Sequence, residues 1–310
     1  MTVPTLPSIR YLSAVAPPPL CEVSLVPGEP GIFCKLEFLN PSGSTKDRVA
    51  RYVLEKAWRL GRIGPGSAVV EASSGSTSIA LALVTSQMGL RFIAVMPVGV
   101  SPERKAIIEA FGGEVRFVPK ALGMGGAIAE SERISRQEGA FATRQFENPD
   151  NSEAHRVWTG QEILAQIPGG TVDAVVSGVG TGGTIVGLYQ AFAQAGCPVE
   201  AIAARPVQGG SDLECCSFST RVPGVVEGIS KLYTHAALPR LREFEIPDDE
   251  VLDTARSLQR MGFPVGPSSG LNLAAARRVL RERPNARVVT VFPDRMERYF
   301  STELFGSRGA

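Results

Sequence analysis

The chain has 310 residues, with 32 Lys and Arg against 31 Asp and Glu and a net charge of +1. That length buries a substantial core and accommodates two domains or one large α/β unit. The balanced charge lacks the basic surplus that nucleic-acid binding requires, and the apolar runs are of strand length, well short of a membrane span. Residues 1–19 carry a single Arg and three consecutive prolines, unlike a secretory signal. The expectation is a cytoplasmic protein with no nucleic-acid or membrane partner. The cysteines Cys21, Cys34, Cys197, Cys215 and Cys216 have no metal-ligand spacing and read as reduced thiols. His155 and His235 are far apart in sequence and argue against a catalytic metal or a His-based triad; His155 reads as a packing or capping residue.

Taken in chain order, the pattern predicts helix over 47–60, strand over 67–72, helix over 77–88, strand over 91–97, helix over 102–111, strand over 114–119 and helix over 124–138. After a break come helix 152–166, strand 171–177, helix 183–195, strand 198–204, helices 248–261 and 270–281, and strand 286–292. Several strands are apolar at consecutive positions, as when helices cover both sheet faces. Such strand–helix alternation predicts parallel α/β sheets. The run Gln145-Phe-Glu-Asn-Pro-Asp-Asn151 interrupts the rhythm with turn-forming pairs and reads as the crossing between two sheets.

Three loops carry candidate chemistry. In Asn40-Pro-Ser-Gly-Ser-Thr-Lys-Asp-Arg48 a Gly/Ser turn leads into a helix that Ser44 or Thr45 can cap. Lys46 projects from its first turn, either as an amine for a Schiff base with a carbonyl cofactor or as a solvated loop lysine. Glu71-Ala-Ser-Ser-Gly-Ser-Thr-Ser78 follows a strand and opens a helix. Its hydroxyls and amides form either a carboxylate site or an ordinary capped turn. Ser177-Gly-Val-Gly-Thr-Gly-Gly-Thr184 has the glycine density that lets backbone approach a phosphate.

That third loop also satisfies a dinucleotide pattern through Gly178, Gly180 and Gly183. The next strand ends Ala203-Ala204-Arg205-Pro206 without the acidic residue that holds a ribose, although Arg205 would suit a 2′-phosphate. A fourth segment, Val265-Gly-Pro-Ser-Ser-Gly-Leu-Asn272, reads as a turn feeding a C-terminal helix.

Together, from about residue 20 to 305, these segments resemble the cysteine synthase family of pyridoxal-phosphate enzymes, the fold type II β-replacement group. The family pattern Asn-Pro-x-Gly-Ser-x-Lys-Asp-Arg is matched from Asn40 to Arg48, Gly-Thr-Gly-Gly-Thr from Gly180 to Thr184, and Gln-Phe-x-Asn-Pro from Gln145 to Pro149. Glu227-Gly-Ile-Ser230, Ser268-Ser-Gly270 and Glu297-Arg-Tyr-Phe-Ser-Thr302 add support.

The resemblance implies two open-sheet α/β domains of the tryptophan synthase β-like architecture, with the active site in the interdomain cleft. The smaller, mobile domain would span 41–149, and the larger 1–40 plus 150–310. It implies pyridoxal 5′-phosphate held covalently by Lys46, with its phosphate on Gly180, Thr181, Gly182, Gly183 and Thr184, its ring nitrogen on Ser268 (less suitably Ser269) and its phenolic oxygen near Ser76. Ser73, Ser74, Gly75, Thr77, Gln145 and Gly228 would bind the amino-acid substrate. The implied activity is a transferase: β-replacement on O-acetylserine or O-phosphoserine through an α-aminoacrylate, with sulfide or a related nucleophile, in a homodimer.

Ser73-Ser-Gly-Ser-Thr-Ser78 departs from the family's Thr-Ser-Gly-Asn-Thr-Gly, placing Ser76 where an Asn is usual and Ser78 where a Gly is usual. The usual Thr-Pro-Leu near the start appears as Pro18-Pro19-Leu20, and Arg295 replaces a small residue, as a surface ion-pair partner or a contact for a charged substrate. Net β-elimination, a non-catalytic pyridoxal-phosphate-binding paralogue and an NADP-dependent oxidoreductase stand as alternatives.

Overall fold

The computed structural model describes residues 10–208 and 217–306. Cys215 and Cys216 lie outside the described residues. The chain folds as two compact units, one of residues up to Ala16 with Asn40–Asp150, the other of Pro17–Leu39 with Asn151 onward.

The first unit is built on a parallel sheet of four described strands in the order Glu114–Val118, Arg91–Pro97, Ala68–Ala72, Phe141–Ala142. Side chains alternate across a strand, so each strand feeds two cores. Val69, Phe92, Ala94 and Met96 join one with Ala50, Leu54, Ile79 and Ile108. Val70, Ala72, Ile93 and Val95 join the other with Ala127 and Ile134 of helix Gly123–Glu138. Helix Ser76–Met88 is apolar on most faces and is buried from Thr77 through Thr85. Helix Lys46–Arg59 instead presents one apolar stripe, Val49, Ala50, Val53, Leu54, Ala57, with charges opposite.

Helix Arg10–Ala14 groups with this unit, whereas the family resemblance assigned residues 1–40 to the larger domain. The physical reason is local: Leu12 enters the same core as Ala50 and Leu54, and Arg51 Nη1 donates to the Leu12 carbonyl at 3.1 Å.

The second unit carries a sheet of seven described strands. Its path runs Leu20–Val23, Ile32–Lys35, Val288–Val291, Ala174–Gly178, Glu200–Gln208, Leu241–Pro247, with Ser217–Phe218 paired to Glu200–Gln208. Only the two pairings at Leu20–Val23 and Ser217–Phe218 are antiparallel among the described strands. One face packs on helices Asp248–Arg260 and Pro267–Glu282 through Val251, Leu258, Leu271 and Ala275. The other packs on Gly160–Gln166 and Gly183–Gln194 through Ile163, Ile185 and Leu188.

The predicted helix 152–166 is interrupted: Asp150–Ala154 and Gly160–Gln166 flank a π turn, His155–Thr159. Helix Gly183–Gln194 approaches so closely here that a Cβ on Gly187 would lie 2.2 Å from the Ser152 carbonyl oxygen. Among the described residues, no helix is long and apolar enough to cross a membrane.

Candidate active site

Each parallel sheet has one point at which its strand order reverses, and ligands of open α/β sheets bind outside the carboxyl ends of the strands there. In the first unit the chain steps outward from Ala68–Ala72 to Arg91–Pro97 and Glu114–Val118, then returns to pair Phe141–Ala142 on the other side of Ala68–Ala72. The loops at that reversal are Ser73–Gly75 and Thr143–Gln145. Ser73–Gly75 and Gln145 were singled out by sequence and grouped through the family resemblance; Thr143 and Arg144 were not.

The geometry joins them. The Thr77 hydroxyl donates to Gln145 Oε1 at 2.6 Å, and Gln145 Nε2 donates to the Ala72 carbonyl at 2.5 Å. Ser73 Oγ accepts the Gly75 N–H at 3.0 Å, and Arg104 Nη1 donates to the Ser74 carbonyl at 2.9 Å. Ser73, Ser74, Gly75, Thr77 and Gln145 therefore form one connected set, with Ser76 opening the helix behind it.

Lys46 is the first residue of helix Lys46–Arg59 and is half-buried between buried Thr45 and Asp47. The capping falls to Ser44, whose Oγ accepts the Lys46 N–H at 3.3 Å; Thr45 makes no side-chain cap. Asp47 folds the preceding turn back by accepting the Ser42 N–H at 2.9 Å. The helix is anchored in the same core as Ser76–Met88, through Ala50 and Leu54 against Ile79 and Leu83.

The reversal of the second sheet lies between Ala174–Gly178 and Val288–Val291. Helix Gly183–Gln194 begins at this point, so the N–H groups of its first turn have no carbonyl one turn back to accept them. Gly182 has φ 79°, open to glycine at little cost, and a Cβ on Gly183 would lie 1.9 Å from Asn151 Oδ1. Asn151 Nδ2 donates to Thr181 Oγ1 at 2.8 Å, and the Ser230 hydroxyl donates to the Thr181 carbonyl at 2.6 Å. His155 is fully buried behind this loop, sharing hydrogen bonds between Nδ1 and Thr159 Oγ1 at 3.0 Å and between Nε2 and Thr184 Oγ1 at 3.3 Å. A cradle of amides that excludes any Cβ fits a phosphate.

Gly228 lies in the loop fixed by the Val226 N–H to the Val179 carbonyl, at 2.9 Å. Ser268 sits in the first turn of helix Pro267–Glu282. Asn272 on that helix ties it to both strands of the reversal: its Oδ1 accepts the Gly178 N–H at 2.6 Å and its Nδ2 donates to the Val291 carbonyl at 2.9 Å. Ser268 keeps some exposure whereas Ser269 has none and its hydroxyl is unpartnered, which favours Ser268 as the ligand-facing serine.

Two arginines are engaged in ion pairs, Arg205 against the 2′-phosphate role weighed for it and Arg295 as the surface ion-pair partner expected from sequence. Arg205 is held by Glu227 at 3.0 Å and Glu245 at 2.5 Å, so it is engaged rather than offered to a 2′-phosphate. Arg295 pairs with Glu297 at 2.5 Å on the surface. The sequence reading missed Asn151, Ser230 and Asn272 as supports and cast Glu71 only as loop flank. Asn272 closes the fourth segment and Asn151 closes the crossing run, so both stood next to the right signals.

A family model described as pyridoxal-phosphate dependent enzyme matches residues 11–294. Cysteine synthase of Staphylococcus aureus is 35% identical over 280 residues, covering 88% of this chain and 89% of that protein. Among solved structures, O-ureido-L-serine synthase superposes with a TM-score of 0.85 at 31% identity, over 99% of this chain and 98% of that one. An O-acetylserine dependent cystathionine beta-synthase from Helicobacter pylori gives 0.85 at 29% identity, over 99% and 100%. A nicotinamide enzyme is thereby set aside, and with it the dinucleotide reading of the glycine loop. By match along nearly its whole length, this chain belongs to the pyridoxal-phosphate dependent enzyme family, in its fold type II architecture, and its cofactor is pyridoxal 5′-phosphate.

Proposed function

We propose that this chain catalyses β-replacement on an activated L-serine, O-acetylserine before O-phosphoserine, with sulfide or a related nucleophile, giving L-cysteine or a β-substituted alanine. The observation that carries the reading is the match of the Asn40–Arg48, Gln145–Pro149 and Gly180–Thr184 runs to one family pattern, with the latter two at sheet reversals. Arg295 is engaged by Glu297, which favours the uncharged acetyl ester over the phosphate ester.

Bound pyridoxal phosphate supplies an electron sink for the bonds at Cα. Lys46 would hold it covalently through Nζ, and Gly180, Thr181, Gly182, Gly183 and Thr184 would bind its phosphate through amides and hydroxyls. The Ser268 hydroxyl would meet the ring nitrogen. A neutral serine there favours an unprotonated nitrogen and a weaker sink, which suits departure of the β-substituent as the α-proton leaves. Ser76 would lie by the phenolic oxygen, reaching less far than an asparagine.

Ser73, Ser74, Gly75 and Thr77 with Gln145 would bind the substrate carboxylate, and Gly228 would flank the amino acid. The Lys46 amine would remove the Cα proton. After the nucleophile adds at Cβ, the same amine returns the proton to Cα. Departure of the β-substituent before the nucleophile binds would give ping-pong kinetics. Homodimeric assembly and a cytoplasmic setting belong to this reading through the family resemblance alone; light scattering and cell fractionation test them.

The experiment is to supply O-acetylserine, then sulfide, to the holoenzyme and follow acetate, cysteine and pyruvate. Acetate release matched by cysteine formation is expected. Pyruvate formed without added nucleophile would replace this reading with elimination, and no acetate release at all would leave a binding protein.

A further inference from the structure

Glu71 is the penultimate residue of strand Ala68–Ala72, with only 3% of its surface exposed. Its carboxylate accepts three hydrogen bonds: Oε1 from the Ala72 N–H at 2.8 Å, and Oε2 from the Gln145 N–H at 2.9 Å and from the Thr143 hydroxyl. The two donors on Oε2 flank Arg144, which at φ 52° is the one non-glycine residue with positive φ among those described. A left-handed residue between them turns the chain so that the hydroxyl of one neighbour and the amide of the other reach the same oxygen. Arg144 directs its own side chain away, to Glu132 at 2.6 Å.

From this clamp the bonds continue to the Gln145 side chain, fixed by Thr77 and the Ala72 carbonyl. We propose that Glu71 is a positioning residue that sets the Gln145 backbone and so orients the carboxylate-binding end of the amino-acid site. The proposal deepens the function given above and rests on it. Glu71 touches no reacting atom; it acts through Gln145 and Thr77.

The chemistry of the donors explains why a carboxylate occupies so apolar a position. Donors converge on both of its oxygens, and only a group with two acceptor oxygens and no N–H meets them all. A glutamine of the same shape would turn an NH₂ toward a backbone N–H. Burial raises the Glu71 carboxyl to about 7, against the three hydrogen bonds that lower it, so the carboxylate that accepts from all three donors is the form present above that pH.

The test compares wild-type and Glu71→Gln holoenzymes at pH 8, both at full cofactor content, by spectral titration with L-alanine and with ethylamine. L-Alanine has no leaving group, so the readout is independent of which β-replacement the enzyme performs. Ethylamine presents the amine without the carboxylate. Expected is a loss of L-alanine affinity of tenfold or more with ethylamine affinity unchanged, and a matching rise in KM for the activated serine at nearly constant kcat. Thr143→Val, which removes one donor and keeps Glu71, gives the same selective loss in smaller measure and serves if Glu71→Gln does not accumulate folded. Equal losses for the two amines, or no loss for either, would overturn the proposal. Wild-type enzyme that binds L-alanine selectively yet converts no activated serine would instead remove the function while leaving this role standing.

Discussion

At Glu71 burial and hydrogen bonding pull in opposite directions, and burial is the larger: the carboxyl rises from 4.5 to about 7. Between those values the folded chain keeps a proton that the unfolded chain has released. The stability this group contributes is therefore complete below about pH 4.5 and is lost as pH rises through about 7, by about 3 kcal/mol. Glu71→Gln carries no titrating proton there. Urea unfolding of both proteins at pH 5 and pH 8 should show the wild type losing roughly 2–3 kcal/mol relative to the variant; a constant difference would place the titration elsewhere. Nothing in the sequence pattern disclosed this group, because its three donors come from two segments some seventy residues apart in the chain.

Among the elements, the glycine loop and its helix form the most constrained joint. Gly183→Ala would drive a Cβ into Asn151 Oδ1, the same amide that steadies Thr181. Overpacking of this kind costs about 1–3 kcal/mol, so cofactor affinity in a fluorescence titration of the apoenzyme should fall roughly ten- to hundredfold. Unchanged affinity would mean that the loop does not hold the phosphate. Most joints of this sort were legible. The loops at 71–78 and 177–184 stood out by composition, because only glycine, serine and threonine supply both tight turns and donors.

Other elements left weaker traces. Phe141–Ala142 is too short to show a period, yet it creates the reversal that brings Gln145 to Thr77. Leu241–Pro247 alternates charge and bulk as an exposed edge strand does, and reads as loop. The π turn at His155–Thr159 answers to the close approach of a partner helix, which no local pattern records.

For the molecule as a whole, each of the two sheets offers the carboxyl end of a reversal, with Ser73–Gly75 and Gln145 at the first and the Gly180–Thr184 loop at the second. Helix Arg10–Ala14 was misplaced because a short apolar patch gives no sign of which core it joins; Leu12 settled it by packing beside Ala50 and Leu54. Family and cofactor were legible because three loop patterns occur in a fixed order, while the supports behind them, Asn151, Ser230 and Asn272, were visible only once the chain was folded.

The proposed chemistry depends on the amine of Lys46, at the start of helix Lys46–Arg59. Borohydride reduction of the purified holoenzyme, followed by peptide mass mapping, tests it directly. The pyridoxyl mass is predicted on the peptide bearing Lys46 and should be absent from the Lys46→Ala protein. A label on another lysine, or one retained in the Lys46→Ala protein, would contradict the account.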